Sequence, residues 1–157
     1  GAPVAGAVPI EPPPPGRAGE FDFLSGDWRI RHRRLKDAAR DEWDAFEGEA
    51  TCWSIPGGVA SIEELRIPAR SFSGMGMRLF DSEQRRWFEL WTNAKGASLT
   101  GPGMPGGFRD GAAVFEADDT DGEVPIRVRS TWDRIAPRAC RWQQSVSRDG
   151  GRSWATR

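Results

Sequence analysis

The sequence predicts an all-β chain: an antiparallel up-and-down β-barrel of eight to nine short strands behind a disordered or extended proline-rich arm. Two observations carry that prediction. Turn-forming clusters of Gly, Pro, Asn and Asp recur every 8 to 15 residues, and no window keeps apolar residues at helical spacing for three turns. Successive hairpins without long crossovers favour up-and-down order, and closing the sheet on itself removes its exposed edges. The 157 residues suffice for one domain with one sizeable core.

Each element follows from local chemistry. Residues 1–18 are rich in Pro, Gly and Ala, with consecutive prolines at 12–15, so they read as an arm outside a domain spanning 19–157. Phe21, Phe23 and Leu24 form a short apolar plug compatible with one helical turn, and Ser25-Gly26-Asp27 is turn chemistry. WRIRHRRLK then alternates: Trp28, Ile30, His32 and Arg34 share one face, and Arg29, Arg31, Arg33 and Leu35 the other. After the polar loop DAARDE, WDAFEGEATCWSI makes the second strand, with Gly48 as a bend or bulge. SIEELRIP is the third, ended by Pro68, and FSGMGMRLF the fourth. DSEQRR turns the chain into WFELWTN, the fifth strand. GASLTGPGMPGG reads as a long flexible loop. Phe108–Ala117 and Val124–Ile135 pair through DDTDGE, ARACRWQQSVS follows, and RDGGRS leads into SWATR.

Composition narrows the chemistry. The chain holds 22 basic and 23 acidic residues, a net charge of −1, which argues against nucleic acid or an anionic membrane as partner. No apolar run approaches the roughly 20 residues of a spanning helix. The expectation is a soluble, cytoplasmic protein; the first residues lack the basic start and apolar run of a signal peptide, although a removed one leaves no trace. Cys52 and Cys140 lack metal-ligand spacing and read as two reduced, buried thiols. With no tyrosine, a phenolic acid or base is excluded. His32 is the only histidine, which excludes a multi-histidine metal site and leaves one candidate for any Ser-His-Asp triad. Neither metal nor cofactor is expected, and GPGMPGG lacks the Lys-Ser/Thr of a phosphate loop.

The segments FDFLSGDWRIRHRRL, EWDAFEG, MRLFDSEQRRW and RWQQSVSRDGGRSW, in that order over roughly residues 21–154, resemble a family of bacterial proteins of unknown function. The resemblance implies a lipocalin-like (calycin) β-barrel with a cavity, and it brings no catalytic residues. It also implies a further strand after the last Trp, where this sequence reads Trp-Ala-Thr-Arg. SRDGGRSW (Ser147–Trp154) resembles the Asp-box, S-x-D-x-G-x-S-W, of sialidases and other β-propeller hydrolases. There the motif recurs once per blade, away from the active site; here it occurs once, in a chain without a tyrosine nucleophile. It is expected to be a hairpin whose Asp149 accepts backbone N–H bonds while Trp154 packs beneath.

The candidate site combines tryptophans with polar residues on strand faces. Trp28, Trp91, Trp132 and Trp142 are expected to form walls, and His32, Glu64, Arg78, Arg129 and Gln144 polar fixing points, for a small hydrophobic, amphipathic or aromatic ligand. Glu63 and Glu64 alternate, so one of them faces inward, where a carboxylate needs a partner such as Arg78, Arg127 or Arg129. The competing readings are plain core packing for the tryptophans, salt bridges for the acids and a solvated outer face for RIRHRR. Two functional alternatives stand beside ligand binding. One is a cofactor-independent isomerase, lyase, decarboxylase or cyclase with His32 and Glu64 as acid and base. The other is an interaction module pairing through an open sheet edge, including as a homodimer.

Overall fold

The computed structural model describes residues 4–96, 99, 101 and 103–157. Among these, ten strands and two 3-10 turns make up the regular structure, and within each of two compact units neighbouring strands pair antiparallel in chain order. The chain forms two compact units, Gly16–Gly103 and Gly1–Pro15 with Met104–Arg157.

The first unit is a five-stranded meander: β1 (Gly26–Asp37), β2 (Glu42–Ser54), β3 (Ala60–Ile67), β4 (Phe72–Asp81) and β5 (Arg86–Asn93). The expected plug is a 3-10 turn at Asp22–Leu24. Phe21 packs edge-on against Trp87 at 5.0 Å, and both are essentially without solvent contact. Burying such side chains contributes about 1.5–3 kcal/mol each. The Trp28 indole N–H donates to the Leu24 carbonyl at 2.6 Å, tying the plug to the first strand. Pro68 ends β3 by starting the second 3-10 turn, Pro68–Arg70. The β4–β5 hairpin is held by Asp81, whose carboxylate accepts the Glu83 and Gln84 backbone N–H groups at 2.9 and 3.0 Å. Those bonds, that from Gln84 foremost, hold its carboxyl below the usual range.

The second unit contains β6 (Met104–Arg109), β7 (Ala112–Asp121), β8 (Val124–Ala136), β9 (Ala139–Ser147) and β10 (Ala155–Thr156). Two expectations are corrected here. The stretch Phe108–Ala117 is two strands, because Asp110 and Gly111 take positive φ (51° and 79°) and form a two-residue hairpin turn that pairs Arg109 with Ala112. Strand structure also reaches back into MPGG, which was expected to be loop. The strand count is therefore ten rather than eight to nine. Glycine makes this pairing work: a Cβ at Gly106 would lie 2.1 Å from the Val114 carbonyl oxygen on β7. Ile126, Val128 and Val146 form a buried cluster with Met104 against it.

The SRDGGRSW stretch is the β9–β10 hairpin. Asp149 accepts the Arg152 and Ser153 N–H groups at 3.1 and 2.8 Å and the hydroxyls of Ser147 and Ser153, and the Trp154 indole donates to the Gly151 carbonyl at 3.2 Å. The Ser153 bonds are the main cause of a strongly lowered Asp149 carboxyl pKa. The proline-rich stretch lies against this unit: the Val8 N–H donates to the Gly150 carbonyl at 2.8 Å. Among the described residues no helix is long and apolar enough to cross a membrane.

Candidate functional site

Antiparallel register assembles one polar and aromatic sheet face in the first unit. Its rows run straight across the strands: Ser54–Ser61–Arg78–Glu89, then Cys52–Glu63–Gly76–Trp91, then Trp28–Ala50–Leu65–Gly74–Asn93. Beyond these, Ile30 stands opposite Gly48 and His32 opposite Phe46. The plug end of this face is buried and charged. Arg78 is 0% exposed, and its guanidinium donates to Glu63 Oε1 at 3.0 Å and to Ser61 Oγ at 3.3 Å. Glu89, also buried, stands directly opposite Arg78 on β5. One buried ion pair, Arg78–Glu63, thus lies out of water with a second buried carboxylate on the neighbouring strand, an arrangement that holds only while the charges stay paired.

The next rows are buried at Cys52, Glu63, Gly76 and Ala50 and reach solvent at Trp91 and Asn93. A Cβ at Gly76 would meet the Trp91 ring at 3.0–3.2 Å, so that ring lies flat over bare backbone; Trp91 remains 39% exposed. The same device recurs at His32: a Cβ at Gly48 would lie 2.7 Å from His32 Nε2. The imidazole stacks on Phe46 at 4.8 Å with 10° between the planes. Its Nε2 is buried and has no hydrogen-bond partner among the described residues, and burial lowers its pKa. His32 is therefore neutral at pH 7. Arg70 lies 4.2 Å from the Phe46 ring centroid and pairs with Asp44.

Of the residues expected at the site, Trp28, His32, Arg78 and Trp91 share this face. Glu64 does not. It sits on the opposite face, exposed, where Arg66 bridges it at 3.2 Å and Glu49 at 3.7 Å. The inward carboxylate is Glu63, together with Glu89. The alternation of β3 left two phases open because both faces carry apolar residues: Ile62 pairs with Trp53 and Met77 on the Glu64 side, and Leu65 with Ala50 on the other. Arg78 supplied the missing signal, since a buried arginine requires a carboxylate one row away.

In the second unit Trp132, Trp142 and Gln144 share a face. Trp132 is buried and lies 6.4 Å from Trp142, whose indole donates to Ser130 Oγ at 2.7 Å. Gln144 accepts the Arg157 Nε–H at 2.9 Å. Arg129 is on the other face, as its odd position in β8 requires, bonded to Glu116 at 2.7 Å and 3.8 Å from the Trp154 ring centroid. Grouping Arg129 with those three was wrong by one residue of register. Arg29 and Arg31 are exposed and stand opposite Glu49 and Glu47, and Arg33 lies over Trp43 at 4.5 Å.

No family model and no curated protein matches the chain.

The geometry bears on the pairing of His32 with a carboxylate. His32 and Glu64 point from opposite faces. The His32 row lies six residues along β1 from the Gly26–Cys52–Glu63 row, roughly 20 Å at strand rise, beyond proton-transfer reach of Glu63. Among the described residues no three His, Cys, Asp or Glu side chains are placed to hold a metal ion. What the face offers is a flat ring, an apolar middle and a buried charged end.

Proposed function

We propose that the β1–β5 face binds a small, flat amphipathic molecule, stacked on Trp91 beside Trp28 and Ile30, with a polar group directed toward the Glu63–Arg78–Glu89 end. The observation that carries this reading is Trp91 itself. A large ring is laid on glycine backbone with over a third of its surface exposed, on the same sheet face as the buried charges of Glu63, Arg78 and Glu89. The proposal includes the finer fold expectation, a calycin-like barrel of the bacterial family that the motifs resemble. The plug turn before β1, the up-and-down order and the polar–aromatic rows all support that expectation. His32 stands roughly 20 Å along the sheet from the Glu63–Trp91 row and is not part of this binding seat.

Titration with 8-anilino-1-naphthalenesulfonate, a flat aromatic amphiphile, tests the proposal. The expected result is saturable quenching of tryptophan emission, weakened about tenfold or more in Trp91→Ala, which removes one stacking surface worth roughly 1–3 kcal/mol. Linear, non-saturating quenching, or equal affinity in Trp91→Ala, overturns it.

A further inference from the structure

The proline-rich stretch and the SRDGGRSW hairpin meet in the second unit, and their contact has the form of a receptor and its ligand. Residues 4–15 are held mainly through backbone carbonyls. Arg152 donates to Gly6 O at 2.7 Å, the buried Arg127 to Val8 O, and Arg109 to Pro12 O at 3.0 Å. Among the described residues one main-chain amide, Val8 N–H to Gly150 O, joins them. Recognition by carbonyls suits proline-bearing chain, which lacks amides but presents its carbonyls outward in an extended helix.

The seat is shaped for close approach. A Cβ at Gly107 would lie 3.1 Å from Pro13 Cγ, and one at Gly150 2.8 Å from Ala7 Cα. Gly150 and Gly151 also take φ of +74° and +92°, so glycine is required there twice over. Part of the seat is held by contacts outside the segment. Asp118 fixes Arg127 at 2.8 Å, and Asp149 closes the hairpin. The occupant, in contrast, buries little: Val8 and Ile10 are 45% and 38% exposed. Glu11 adds a charged contact to Arg109 at 3.6 Å.

We propose that the surface formed by Gly107, Arg109, Arg127, Gly150 and Arg152 is a binding seat for extended, proline-containing peptide segments of other proteins, with the chain's own residues 4–15 as resident ligand. An acidic residue before the proline run adds a pairing to Arg109. The resident segment competes at high effective concentration, so it must be weakened before a second peptide enters.

The test uses the full chain and a fluorescein-labelled peptide with the sequence of residues 4–16, followed by anisotropy. Val8→Pro removes the segment's amide bond to Gly150 and leaves the seat untouched. The labelled peptide is expected to bind the Val8→Pro chain about tenfold or more tightly than the unaltered chain, and to lose that gain when Arg152→Ala is added. Equal binding to both chains, or no effect of Arg152→Ala, overturns the proposal. Sedimentation of the unaltered chain at several concentrations is run alongside. Self-association that Val8→Pro abolishes also overturns it, in favour of exchange of the segment between two copies.

Discussion

Arg78→Met gives the sharpest test of the buried end of the β1–β5 face. Methionine keeps much of the arginine stem and removes the guanidinium. Because Arg78 is 0% exposed and bonds Glu63 at 3.0 Å, the change strands the Glu63 carboxylate, 5% exposed, without its cation. Breaking a buried pair by removing one partner costs about 3–5 kcal/mol, far more than the pair adds over an apolar replacement. For a chain of this size each kcal/mol lowers Tm by about 2–4 °C, so the expected fall is roughly 6–20 °C. The assay is urea unfolding followed by tryptophan emission, with the m-value checked for constancy. The double variant Arg78→Met/Glu63→Leu is expected to be more stable than Arg78→Met alone, because the stranded carboxylate is gone. A loss below about 1 kcal/mol in the single variant, or strict additivity in the double, refutes the reasoning.

Four other outcomes follow from single contacts. Burial lowers the His32 pKa below 6.5, so the unfolded chain takes up the proton first, and stability falls as pH drops from 7 through 6.5 toward the folded pKa; urea midpoints at pH 7 and 5 should differ less in His32→Gln than in the unaltered chain. Gly48→Ala places a methyl 2.7 Å from His32 Nε2 and 3.0 Å from the Arg66 carbonyl, and should destabilise by about 1–3 kcal/mol on thermal unfolding. Asp149→Ala removes the acceptor of the Arg152 and Ser153 amides, so their hydrogen exchange should accelerate about tenfold while exchange in β1–β5 stays unchanged. Since the Asp149 pKa is lowered, the same hairpin in the unaltered chain should loosen only as pH falls below the ordinary carboxylate value of 3.8.

Much of the fold was legible because turn chemistry and period-two alternation are local. The plug at Phe21–Leu24, the first five strands and the Asp149 hairpin all follow from residues within a few positions of one another. The Asp110-Gly111 turn was equally local: an Asp-Gly pair flanked by Arg109 and Ala112 is a two-residue hairpin signal, hidden by reading Phe108–Ala117 as one run. The site was less legible because it depends on register. Trp28, His32, Arg78 and Trp91 come to one face, but the choice between Glu63 and Glu64 turns on which phase of β3 meets Arg78, and β3 is apolar in both phases. Arg129 shows the same sensitivity, since one residue of offset separates it from Trp132. The seating of residues 4–15 was beyond local reading altogether, as it joins Val8 to Arg127 and Gly150 across more than a hundred residues.

The central claim is that a guest molecule stacks on the face that carries Trp28 and Trp91. Proton–nitrogen correlation spectra of the eight tryptophan indoles during titration with an aromatic amphiphile test it most directly. The account expects the Trp28 and Trp91 signals to move together and saturate, while Trp43 and Trp53 on the opposite face stay in place. Movement of Trp43 and Trp53 with Trp91 unmoved contradicts it.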